Sequence, residues 1–70
     1  MEERIKNIYN DCWKSYKEYL RDHDMYAYNN RSIMLTEKYG NGSDLIDLLL
    51  WFAPRVNMLH EEWRKQNAGN

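Results

Sequence analysis

The residues best equipped for chemistry lie in the last third of the chain. Trp51 and Arg55 stand four positions apart, and Asn57, His60, Trp63 and Arg64 follow at helical spacings. On a helix, residues three and four apart are neighbours on one face. An indole beside a guanidinium suits a planar anionic ligand: the ring stacks while the guanidinium grips a phosphate or carboxylate with paired donors. Asn57 and His60 add groups that can bond to base or sugar edges, and Arg64 adds a second cation. Trp51, Arg55, Asn57, His60, Trp63 and Arg64 therefore form the candidate ligand site. The stripe holding Asn57, His60 and Arg64 begins with Ile46, Leu50 and Ala53, so an apolar groove runs into polar residues.

Other reactive side chains point to no second chemistry. His60-Glu61-Glu62 and Asp22-His23-Asp24 set carboxylates beside imidazoles. Sequence neighbours face different sides of a helix, so neither run converges on a metal. Cys12 falls on an apolar helical face, where a thiol acts as a small hydrophobe; a nucleophile would need a base and an accessible thiolate. Gly40-Asn41-Gly42 lacks the strand and lysine of a phosphate-binding loop. No metal, no cofactor and no enzymatic activity is expected. An enzyme, if present, would join His60 to Glu61 or Glu62 across two subunits.

Composition narrows the class further. The chain has 70 residues, 43% hydrophobic and 30% charged, which is globular rather than disordered usage. Ten basic and eleven acidic residues leave a net charge of -1, without the basic excess that phosphate neutralisation requires. The longest apolar run, Leu48 to Ala53, is too short to span a bilayer, and the first residues carry no signal-peptide core. A single cysteine cannot close an internal disulfide, so a cytoplasmic location is expected, or the host cytoplasm for a phage product. In that compartment the sequons at Asn30 and Asn41 are chance matches. Three Trp, six Tyr and one Phe coexist with a mean hydropathy of -0.97 because nine of these ten rings carry an N–H or O–H.

The elements that must position these residues read as helices. From Glu2 to about Arg21 there is no Gly or Pro, and Ile5, Ile8, Tyr9, Cys12, Trp13, Tyr16, Tyr19 and Leu20 share an arc of about 140°. Asp22-His23-Asp24 is the expected break, with a turn at Asn29-Asn30 as the alternative. A middle segment, Met25 to Tyr39, is expected next. Gly40 suits a left-handed stop, Ser43 an N-cap, and Asp44 the positive end of the last helix. That helix is expected from Asp44 to about Gln66, kinked at Pro54, within a single domain of residues 1–66 and a frayed tail of 67–70.

Between Leu45 and Ala53 apolar residues occupy nearly every direction around the last helix, and Asp47 alone interrupts them. A helix apolar all round must be buried all round. A second chain is therefore expected to cover it, through Leu45, Ile46, Leu48, Leu49, Phe52, Val56 and Leu59. The expected architecture is all-α: two or three helices per chain in a homo-oligomeric bundle, a two-fold dimer by default. The Tyr and Trp excess suggests binding surface, with Trp13, Tyr16, Tyr19, Trp51 and Trp63 as candidates.

From Trp51 to Trp63 the chain resembles small helical proteins encoded by phages and prophages of Gram-positive bacteria, as a general likeness without a defined motif. The resemblance implies a role in binding, either blocking a host protein or sequestering a nucleotide signal used by bacterial immunity. The expected function is thus non-enzymatic sequestration of a nucleotide-like small molecule between subunits. The alternatives are an inhibitor or adaptor that blocks a host protein, and a structural or assembly protein. No membrane and no direct nucleic-acid partner is expected.

Overall fold

The computed structural model describes residues 2–68, which form three helices: α1 (Glu2–Asp22), α2 (Met25–Tyr39) and α3 (Ser43–Ala68). The described residues include no strand, and none of the helices is long and apolar enough to cross a membrane. Arg4 meets Asp44 at one end, and Tyr19 meets His60 toward the other, so α1 and α3 run parallel. The intervening α2 runs antiparallel to both. The result is a rod of 49 × 16 × 16 Å.

The first turn falls at residues 22–24. His23 adopts φ 55°, its N–H reaching the Tyr19 carbonyl at 2.7 Å, and the Asp24 N–H reaches Asp22 Oδ1 at 2.9 Å. Asp24 then caps α2, its carboxylate accepting from the Ala27 N–H at 3.0 Å. These bonds satisfy backbone groups that a helix end leaves orphaned. Asn29 and Asn30 lie exposed within α2, so the alternative turn does not form; their weak propensity costs only tenths of a kcal/mol each on a solvent face.

Gly40 ends α2 at φ 81°, ψ 178°, a region essentially reserved for glycine, and its N–H bonds to the Thr36 carbonyl at 2.8 Å. An added Cβ would meet nothing within 4 Å, so substitution tests the backbone alone. Gly40→Ala is expected to cost about 1–2 kcal/mol. On a domain this size that lowers the melting temperature by about 5–15 °C, read by circular dichroism. The Gly42 carbonyl, rather than that of Ser43, accepts the first α3 bond, from Ile46 at 3.0 Å. The N-cap expected at Ser43 is therefore one residue earlier, and Ser43 is the first helical residue. Asp44 occupies the first turn, as expected from its charge. At the other end α3 continues through Ala68, and the Asn67 amide donates to the Trp63 carbonyl at 2.7 Å. Of the tail expected to fray, Asn67 and Ala68 are thus helical, and residues 69 and 70 lie outside the described residues. Pro54 sits inside α3, which remains one element.

The core has two parts. Ile8, Cys12, Leu35, Leu45 and Phe52 pack in one, and Tyr19, Tyr28 and Val56 in the other. Leu45, Phe52 and Val56 are thus buried by the chain's own helices. Ile46, Leu48, Leu49 and Leu59 are half-buried, and Leu50 stands 64% exposed. The seam expected to face a second chain is therefore mostly occupied within one. α1 and α2 cover α3 on the arc centred on Leu45, Phe52 and Val56, and Leu50, Trp51 and Met58 stay exposed outside it.

A polar seam joins α1 to α2. Arg31 donates to the Ser15 hydroxyl at 3.1 Å and carbonyl at 3.0 Å, and pairs with Glu18 at 3.2 Å. Asp11 accepts from the Tyr39 hydroxyl at 2.6 Å and from Lys38 at 3.0 Å. The Tyr39 hydroxyl, and then Lys38, hold the Asp11 carboxyl below its ordinary value of 3.8; Arg4 does the same for Asp44. A carboxyl depressed by folding stabilises the fold above its unfolded-state pKa. That contribution is lost as pH falls through the lower folded-state value. The urea midpoint is therefore expected to decline as pH falls from about 5 to about 2, and less steeply in Asp11→Asn.

Candidate functional site

The six expected ligand residues separate into distinct places. Trp51 and Arg55 form a pair on the surface, with Arg55 Cζ 3.8 Å from the indole centroid and Nη1 donating to the Trp51 carbonyl at 2.6 Å. The cation–π contact expected to hold a ligand is thus made within the chain, and the guanidinium covers one face of the ring. Asn57 is exposed on a different flank, beside Pro54 and Glu61. Arg64 is exposed as well. One chain does not bring these groups onto a single ligand.

His60 and Trp63 belong to a cluster at the far end of the rod. Tyr19, fully buried, shares a hydrogen bond of 2.8 Å between its hydroxyl and His60 Nδ1. Burial, then the Asp22 charge, raises the Tyr19 phenol above its ordinary value, so it keeps its proton at neutral pH. The His23 imidazole lies parallel to the Trp63 indole, 4.9 Å between centroids at 7°, and His60 stacks on the same ring at 5.7 Å and 22°. These rings tie the α1–α2 turn to α3. Tyr19, expected to face a ligand, is instead core. His23 was not foreseen in this role: its left-handed backbone aims the ring back at α3, and no local pattern encodes that.

An apolar groove of about 490 Å3 lies between α1 and α3. From α1 it is lined by Ile5, Ile8, Tyr9 and Trp13, and from α3 by Leu48, Trp51 and Phe52. Ile5 and Tyr9 are exposed, as are Trp13 at 42% and Trp51 at 51%. The charged residues at its edge are Asp44 and Asp47. Arg4 bonds Asp44 at 2.8 Å, which leaves Asp47 without an ion pair among the described residues. Of the six expected ligand residues only Trp51 reaches this groove, beside the expected interface residues Leu48 and Phe52; Trp13, expected as a binding aromatic, stands opposite. The apolar stripe of the first helix was legible in sequence. Which half of it stayed exposed was not.

The ionisable side chains of the groove are Tyr9, Asp44 and Asp47. Cys12 is buried, and desolvation together with the Asp11 charge pushes its thiol up to about 11. A second concavity, between α1 and α2, is lined by the Asp11–Lys38 and Glu18–Arg31 pairs, whose charges are already matched. No group of three potential metal ligands is found among the described residues. No family model, curated protein or solved structure matches the chain.

Proposed function

We propose that this protein is a non-enzymatic binding module, an inhibitor or adaptor that holds an amphipathic helix of a partner protein in the α1–α3 groove. The groove itself carries the reading: an open apolar trough with a tryptophan on each side and carboxylates as its only charges. Exposed aromatics give large contact area at low entropy cost and commonly anchor interfaces. From Ile5 to Trp13 the trough is about 12 Å long, two turns of helix. A fitting partner carries bulky apolar residues at i, i+3 or i+4, and i+7, with Lys or Arg placed to meet Asp47.

The test is selection of helical peptides on the immobilised protein. Enriched sequences should show that apolar spacing with a basic residue at one end. Enrichment without helical spacing, or binding that survives loss of both groove tryptophans, would remove the proposal.

A second reading keeps the nucleotide-like ligand at a subunit interface. The Arg55–Trp51 pair favours it, since both side chains remain exposed and, among the described residues, Arg55 donates only to the Trp51 carbonyl. It requires a second copy to bring the remaining groups together. Melting-temperature shifts with mononucleotides and cyclic nucleotides separate the two readings. A shift abolished by Arg55→Ala would favour the nucleotide.

A further inference from the structure

We infer that the α1–α3 face is where two copies of this chain meet, side by side and pointing the same way, with α1 of each copy lying on α3 of the other. The inference rests on reading this face as a binding surface and names an occupant for it. A partner helix would then displace the second copy.

The apolar positions carry the geometry. Along α1, Tyr9, Trp13 and Leu20 are exposed at spacings of four and seven; along α3, Trp51 and Met58 are exposed at a spacing of seven. Both spacings keep residues on one side of a helix. The two helices are parallel and in register, as the Arg4–Asp44 and Tyr19–His60 contacts fix. Trp13 is therefore level with Trp51, and Leu20 with Met58, to within about one turn. A two-fold rotation about the long axis of the face lays α1 over the partner's α3 at the same height. Trp13 then meets the partner's Trp51, and Leu20 the partner's Met58.

Charge selects this arrangement over its opposite. Lys6 and Lys17 are exposed along the outer border of the α1 strip, while Asp47 borders the strip on α3. Neither Lys6 nor Asp47 has an ion-pair partner among the described residues. With the copies pointing the same way, Lys6 lies level with the partner's Asp47. With the copies reversed, α1 lies on α1 and, centred between Tyr9 and Trp13, Lys6 meets the partner's Lys17. Like charges there oppose association, and unlike charges fix register. Over the 21 residues of α1 the face is about 31 Å long, so at the rod's 16 Å width each copy offers about 500 Å², the size of a weak interface.

The experiment measures the mass of the full chain by sedimentation up to about 200 µM. The wild type is expected at twice the monomer mass of 8.6 kDa. Lys6→Glu and Asp47→Lys should each weaken association about tenfold, and the double reversal should restore it to within about threefold. Trp13→Glu should leave a helical monomer at every concentration. A wild-type monomer throughout, a dimer untouched by Trp13→Glu, or a double reversal that adds the two losses would each overturn the inference. Peptide selection on Lys6→Glu separates the two proposals. If helices bind while the wild type stays monomeric, only the dimer falls; if neither binding is seen, both fall.

Discussion

Phe52→Ala is expected to remove about half of the protein's stability. Phe52 is 3% exposed, packs with Ile8, Cys12, Leu35 and Leu45, and lies 5.6 Å from the Tyr16 ring. Truncating a buried phenylalanine costs about 3–5 kcal/mol, through lost transfer energy and the cavity left behind. A domain of this length has about 4–10 kcal/mol of stability in all. The melting temperature should fall by about 15–30 °C. Phe52→Leu, which keeps most of the volume, should cost about 1–1.5 kcal/mol. Leu50→Ala removes a side chain that is 64% exposed and should stay within about 0.5 kcal/mol. Melting followed by circular dichroism at several protein concentrations reads the series. A loss in Phe52→Ala that vanished at high concentration would place Phe52 between subunits rather than in the core.

The second large effect concerns the groove. Replacing both Trp13 and Trp51 with Ala is expected to weaken capture of a helical peptide at least a hundredfold, since two anchors at about 2 kcal/mol each exceed that ratio. Both rings are about half exposed and lie outside the buried core clusters, so the fold should survive with a loss of about 1–2 kcal/mol. Trp51→Ala also releases the Arg55 guanidinium from its ring, which makes Trp13→Ala the cleaner single control. Retained affinity in the double variant, with the helical signal intact, would show that the partner binds elsewhere.

These two predictions mark where reading the sequence succeeds and stops. Phe52 and Leu50 are both bulky apolar residues in one run, and helical periodicity ranks neither above the other. Only the positions of α1 and α2 make one of them core and the other surface. Counting apolar directions around residues 45–53 does not say how much of that arc two helices of the same chain cover. The six expected ligand residues lie apart within one chain for a related reason. Its residues share one helix but span several of its faces, and each face meets a different neighbour. His60 and Trp63 are taken up by Tyr19 and His23, Arg55 by Trp51, while Asn57 and Arg64 face outward.

The sequence by itself determined the local features. The all-helical class, a break at residues 22–24 as the first of two alternatives, and the stop at Gly40 follow from periodicity, Asx capping and a glycine free to take positive φ, all properties of a few neighbouring residues. The amphipathic stripe of α1 was equally local. Tertiary structure decided what those stripes face. Parallel packing of α1 on α3 left Tyr9, Trp13 and Trp51 at the edge of a groove while burying Tyr19 and Phe52. That choice depends on contacts between residues about forty positions apart, and no pattern within one helix encodes them.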